Sequence, residues 1–209
     1  MRPSTSRRPE SVNHWLGEED LVRYRVHVEA ARKQPDASRR GCGFGALVAQ
    51  PANPDADRHW LFEAIKLSRC CPPSPAAFSV GAVLVTGDGQ VLSTGFSREW
   101  DPSDHAEEVA LARLGLPGHG PQGSGNGADL QGATLYSSLE PCAARASRPT
   151  PCADLIIASG VGRVVIAWRE PPIFVPGGGA VRLRQAGLTV TVIPELAASA
   201  RAVNAHLLS

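Results

Sequence analysis

Three short pieces of this sequence carry side chains whose types and spacing suit metal-assisted hydrolysis. His105-Ala106-Glu107 sets an imidazole and a carboxylate two residues apart, and Pro141-Cys142 and Pro151-Cys152 each offer a thiol behind a proline. One histidine and two thiolates can hold zinc with a fourth position open, the arrangement of catalytic rather than structural zinc sites. Zinc held this way lowers the pKa of bound water to about 7. A carboxylate beside the metal, but not bound to it, can then carry a proton to a reacting ring and on to a leaving amine. These are the requirements for replacing the amino group on an aromatic amidine carbon by oxygen. His-x-Glu followed by Pro-Cys and a second Cys is the pattern of zinc deaminases.

One departure is plain. That pattern has two residues between its cysteines, whereas nine, residues 143–151, lie between Cys142 and Cys152. A cysteine pair at this spacing says little alone; its force comes from His105, Glu107 and the strand-like run leading into Glu140-Pro141-Cys142. Blander readings exist for each residue. His105 can be a solvated or capping histidine, Glu107 the N3 partner of Asp104 in a capping box, and the two cysteines buried thiols. A structural zinc site would close with four Cys or His ligands, and only three are evident. Cys70 and Cys71 are adjacent and cannot easily share one tetrahedral ion, so they read as structural. Five cysteines, odd in number and unevenly spaced, fit a reducing compartment better than a disulfide framework.

The elements that must position these groups follow from punctuation and periodicity. Residues 57–70 read as a helix capped by Asp57 and stopped by Pro72-Pro73. Residues 78–85 and 90–97 read as strands joined through Gly87-Asp88-Gly89. Residues 104–114 form a short helix with Asp104 at its cap, so His105 and Glu107 fall in its first turn. The Gly-rich stretch 118–132 is given no structure. A strand over 133–139 leads into Cys142, and a helix from Cys152 ends at Gly160. The continuous apolar run 163–168 suits a strand covered on both faces. A helix over 179–185, with Gly187 past its end, and a strand over 188–193 complete the order α-β-β-α-β-α-β-α-β. Strands alternating with helices predict an α/β fold, a three-layer α-β-α sandwich around a five-stranded mixed sheet.

Bulk properties narrow the class. A chain of 209 residues, 43% hydrophobic and 20% charged, suits one globular core plus an extension. Residues 1–55, with Arg pairs, a Gly-rich stretch and a possible helix over 15–33, read as a loosely ordered N-terminal extension; residues 56–209 read as the zinc deaminase domain. A net charge of +1 gives no field for nucleic acid or an anionic membrane. Aromatics at 5% offer few stacking platforms for single strands. No run of 18 apolar residues is present, and residues 1–8 lack the apolar region of a secretory signal, so a cytoplasmic location is expected.

These stretches resemble the riboflavin-biosynthesis pyrimidine deaminases, a branch of the cytidine-deaminase-like zinc deaminases. That family carries His-Ala-Glu, then Glu-Pro-Cys, then a longer Arg- and Pro-containing loop before the second cysteine. The likeness spans about residues 57–196. It includes Ala77-Phe78-Ser79-Val80-Gly81, Ser93-Thr94-Gly95-Phe96-Ser97-Arg98-Glu99, His105-Ala106-Glu107-Glu108, Leu135-Tyr136-Ser137-Ser138-Leu139-Glu140-Pro141-Cys142 and Glu170-Pro171-Pro172-Ile173-Phe174-Val175. The segments are similar to the fungal-type deaminase of that pathway, which acts on a ribitylaminopyrimidine phosphate. Bacterial bifunctional enzymes carry Pro-Asn-Pro-x-Val-Gly where this chain has residues 76–81 without the Asn. They also carry a reductase domain that is missing here, which implies a separate reductase in the pathway.

The resemblance implies that His105, Cys142 and Cys152 bind Zn2+ and that Glu107 shuttles protons. It implies a small phosphorylated aminopyrimidine as substrate, the 2,5-diamino-6-ribitylamino (or ribosylamino) pyrimidinone 5′-phosphate. Arg145 and Arg148 are then candidates for the phosphate, Arg98 and Glu99 for the base or polyol, and Ser79 for the place of the missing Asn. A homodimer is expected, with neither nucleic acid nor membrane as partner. Two competing functions stand beside this one: deamination of another nucleobase or nucleotide such as cytosine or a cytidine phosphate, and an inactive zinc-binding scaffold. The intact Glu107 argues against the scaffold.

Overall fold

The computed structural model describes residues 53–115, 130–171, 173 and 178–208. Most of the expected N-terminal extension and of the Gly-rich stretch lies outside these residues. Helix α1 spans Pro54–Ser68. Asn53 caps it, its side chain accepting from Asp55 N and Ala56 N at 3.2 and 3.4 Å, and Pro54 opens the first turn. The expected cap, Asp57, is corrected: it lies one turn inside the helix and is 3% exposed. Arg163 grips both its oxygens at 2.7 and 2.6 Å, and the Tyr136 hydroxyl donates to it at 3.0 Å.

Strands β1 (Gly81–Val85) and β2 (Val91–Phe96) form the expected hairpin. Helix α2 (Ala106–Ala112) begins one residue later than the Asp104 cap implies. Asp104 Oδ2 instead accepts from Trp100 N and Asp101 N at 3.1 and 2.8 Å, closing the turn ahead of the helix. His105 is the N-cap residue, and Glu108, at N3, accepts from its backbone N–H at 3.4 Å. This one-residue shift moves the capping role from Glu107 to Glu108 and leaves Glu107 free for other work.

Strand β3 (Thr134–Leu139), helix α3 (Cys152–Ser159), strand β4 (Arg163–Trp168), helix α4 (Gly179–Gln185) and strand β5 (Thr189–Val192) follow in the expected order. A 3-10 turn, Pro194–Leu196, and a further helix, α5 (Ala197–Val203), come after them and were not expected. The sheet order is β2-β1-β3-β4-β5, antiparallel across β2-β1-β3 and parallel across β3-β4-β5. Helices α1 and α5 pack on one face; α2, α3 and α4 share the other. The three-layer sandwich with a five-stranded mixed sheet is therefore the observed architecture. Among the described residues, no helix is long and apolar enough to cross a membrane.

Two glycines set the elements that matter for the site. A Cβ on Gly95 would stand 2.4 Å from Ala106 O and 2.7 Å from Ala110 N, so only glycine lets α2 lie this close to β2. A Cβ on Gly179 would stand 1.7 Å from Pro141 O, so the start of α4 presses directly on the turn into Cys142.

Candidate active site

Three chain segments converge at the carboxyl ends of β3 and β4, where α/β sheets place their ligands. The first is the start of α2. His105 Nδ1 stands 3.6 Å from Cys142 Sγ and 3.4 Å from Cys152 Sγ, and the three donor atoms lie within 4.8 Å of one another. Tetrahedral zinc with ordinary Zn–S and Zn–N bonds puts its sulfur and nitrogen donors roughly 3.6 Å apart. The donor set and its spacing therefore fit the ion.

The second segment is the turn after β3. Glu140 is buried and holds it in place: Oε1 accepts from Ala180 N at 2.8 Å and Oε2 from Glu170 N at 3.2 Å. The third is the start of α3, where Cys152 N donates to Cys142 Sγ at 3.3 Å. The cysteines behave as one unit. A hydrogen bond from Cys152 pushes the Cys142 thiol down, against desolvation and with help from His105. The same bond, then burial, pushes Cys152 up. A cation arriving there meets one sulfur already inclined to ionise.

Glu107 faces this group without being one of its three donors. It is 3% exposed, and the Ser137 hydroxyl donates to its Oε1 at 2.7 Å. Burial raises its pKa, while the Ser137 bond and the charge of His105 pull the other way. A carboxyl so placed can both take and return a proton.

A cavity of about 330 Å³ opens on these groups, and Phe78, Arg98, Glu107, Cys142, Arg145 and Glu170 are among its lining residues. That volume falls within the range of small-molecule sites. Glu170 was missed as a site residue, although its segment figures in the resemblance. Its Oε2 is buried with no hydrogen-bond partner among the described residues. Burial, then the negative charges of Cys142, Glu107 and Glu140, push its pKa up to about 8. Its position directly after the apolar run of β4, at a carboxyl strand end, was the available signal. Ser137 was legible only as part of a strand, and Glu140 only as part of the Glu-Pro-Cys motif, without its role of holding the turn.

The expected substrate contacts divide. Arg98 and Arg145 reach the cavity wall; Ser79, Glu99 and Arg148 do not line it. Arg98 adopts a left-handed backbone (φ 62°), and its guanidinium donates to Pro72 O, Phe78 O and Ser79 Oγ at 2.8, 3.0 and 2.9 Å. Ser79 is thus taken up by Arg98, and also by Asn204, to whose Oδ1 its N–H donates at 2.7 Å. Glu99 pairs with Arg113 and accepts from Phe96 N at 3.3 Å. Arg145 is ion-paired with Glu108 at 2.8 Å, and Arg148 with Asp104 at 2.8 Å and Glu108 at 3.2 Å. Both arginines are thus paired with carboxylates, and Arg145 also lines the cavity.

Residues 54–168 match the model of the cytidine and deoxycytidylate deaminase zinc-binding region, and the chain belongs to that family. Its cofactor is Zn2+, in keeping with the grouped histidine and cysteines. Within the family the chain is similar to the diaminohydroxyphosphoribosylamino-pyrimidine deaminase of Schizosaccharomyces pombe, 38% identical over 144 residues that cover 69% of this chain and 33% of that protein. It is similar as well to the protein of the same name from Buchnera aphidicola, 32% identical over 65% of this chain and 83% of that one. Among solved structures it resembles a diaminohydroxyphosphoribosylaminopyrimidine deaminase/5-amino-6-(5-phosphoribosylamino)uracil reductase from Thermotoga maritima. That likeness has a TM-score of 0.57 at 31% identity and covers 71% of this chain and 39% of that one. The matched segment thus spans about a third of the length of the first relative named.

Proposed function

We propose that residues 56–209 form a hydrolytic deaminase that converts the amino-bearing carbon of an aminopyrimidine to a carbonyl and releases ammonia. The substrate we infer is a ribosylamino- or ribitylamino-pyrimidine 5′-phosphate of riboflavin biosynthesis. One observation carries the chemistry: His105, Cys142 and Cys152 present three donors at zinc-ligand spacing, and a buried carboxyl that is not a donor faces the same cavity. The names of the Schizosaccharomyces pombe and Buchnera aphidicola relatives support the substrate class.

Bound zinc supplies a nucleophilic water at neutral pH. The protein's own groups do the rest. Glu107 would accept one proton from the attacking water and deliver it to a ring nitrogen, then take the second from the new hydroxyl as the carbonyl forms and pass it to the amine, which leaves as ammonia. Ser137 fixes the orientation of Glu107 through its 2.7 Å hydrogen bond. The Glu170 oxygen that has no hydrogen-bond partner among the described residues offers a hydrogen-bonding site for the polar edge of the heterocycle. Phe78 contributes an apolar wall to the same cavity.

A specific observation keeps a second reading in view. Arg98 and Arg145, the arginines on the cavity wall, already bind protein oxygens, so a nucleobase without phosphate would lose little there. The test is ammonia release from zinc-loaded protein across phosphorylated and unphosphorylated aminopyrimidines, cytosine and cytidine phosphates. Preference for the phosphorylated aminopyrimidine is expected. Turnover of cytosine or cytidine phosphates alone would remove the substrate assignment and keep the chemistry. Glu107→Gln is expected to retain zinc and lose turnover by about 10²–10⁴-fold; a variant near parental rate would remove the chemistry too.

A further inference from the structure

The loop between the two cysteines is long for a pair that must hold one ion. Residues 143–151 contain no helix or strand. With two residues between the thiols, the chain itself limits how far they drift. Nine residues impose no such limit, and each ordered backbone position costs conformational freedom. Some other contact must fix this loop.

Several contacts do so: Arg148 pairs with Asp104 at 2.8 Å, Arg182 Nη1 donates to Ala143 O at 3.2 Å, and one carboxylate, Glu108, which is 1% exposed, reaches both the loop and a ligand's backbone. Its Oε2 accepts from the backbone N–H of His105 at 3.4 Å and from Arg145 Nη2 at 2.8 Å. Its Oε1 lies 3.2 Å from Arg148 Nε. Arg145 Nη2 also donates to Ser103 O at 3.3 Å, and Arg145 Nη1 points at Cys152 Sγ from 3.8 Å. The Arg145 side chain is only 3% exposed, a costly position for a guanidinium unless charge meets it on more than one side. Glu108 meets it on one side and the Cys152 sulfur on the other.

We propose that Glu108 and Arg145 are positioning residues of the metal centre, acting together as a latch. Glu108 ties the backbone of one ligand, His105, to the loop that carries the other two. Arg145 fixes the Cys152 sulfur and offsets its negative charge when it is a thiolate. Together with the Arg148–Asp104 pair, the latch does work that a short spacing between the cysteines would otherwise do. This inference rests on His105, Cys142 and Cys152 being the ligands.

The test uses metal-free full-length chain titrated with cobalt(II), whose thiolate-to-metal absorption reports the centre independently of turnover. Zinc affinity is read in parallel by competition with a chromophoric chelator. The parent is expected to bind one cobalt with a thiolate band. Glu108→Gln and Arg145→Met are expected to bind one cobalt with a shifted band and zinc about 10–100-fold more weakly. Arg145→Lys keeps the charge without the two-sided fork and is expected to recover only part of that loss. If Glu108→Gln fails to fold, as judged by circular dichroism, the two Arg145 variants decide. Parental bands and parental zinc affinity in the folded variants would overturn the latch. A parent with no thiolate band would instead overturn the ligand assignment, which separates the two failures.

Discussion

Among single residues, Glu170 shows most clearly how burial sets behaviour. Its carboxyl is held up to about 8 in the folded chain, against an ordinary value near 4.5. Between those values the folded protein binds a proton that the unfolded chain has released. Stability therefore falls as pH rises through that window, and the penalty is absent below it. Glu170→Gln removes the penalty. In metal-free protein it should gain stability over the parent progressively from about pH 4.5 to about pH 8, then level off. Thermal melts of both proteins across that range check this, and a difference that does not change with pH would refute it. Glu170 was hard to read in advance because its significance lies in a buried oxygen without a hydrogen-bond partner among the described residues. That is a property of packing, which no spacing encodes. For Arg145 and Arg148, loop position says that an arginine is near the metal, but not that carboxylates from another element pair with it.

At the scale of elements, Gly95 decides where the His105–Glu107 segment can sit. The atoms that a Cβ would meet, Ala106 O and Ala110 N, belong to helix backbone and cannot swing away. Gly95→Ala should therefore cost about 1–3 kcal/mol and push α2 off β2, weakening zinc binding as well. A melting temperature and zinc affinity equal to the parent's would show that the helix yields without consequence. The elements themselves were largely legible. Alternation, the Gly-Asp-Gly turn and the apolar run of β4 gave the five strands in order, because each bears on one sheet with two covered faces. The start of α1 was misplaced because Asn53-Pro54 is a stronger opening than Asp57, whose carboxylate is claimed by Arg163. Helix α5 escaped notice because Ala197-Ala198-Ser199-Ala200-Arg201-Ala202-Val203 has small residues where an amphipathic stripe would show large ones.

For the molecule as a whole, the Asp57–Arg163 pair joins α1 to β4 across one face of the sheet, with Tyr136 of β3 as a third member. Removing one partner leaves an unmatched buried group. Asp57→Ala should cost about 3 kcal/mol, the low end for a broken buried pair, since the Arg163 side chain keeps 16% exposure. Urea unfolding at constant slope measures it, and a loss below about 1 kcal/mol would mean that solvent screens the pair. The cavity groups belong to other contacts, so zinc content at saturating metal should match the parent's. The placement of the ligands also says something about order in time. Cys142 and Cys152 lie 10 positions apart in the chain, but His105 is 37 positions before the first of them. A nascent or unfolded chain can offer the ion its sulfurs early, whereas the imidazole arrives only when α2 has docked on β2. Three-coordinate capture is therefore expected late in folding: in stopped-flow refolding with cobalt(II) the thiolate band should change as α2 docks, and a band complete before the helical layer closes would refute this.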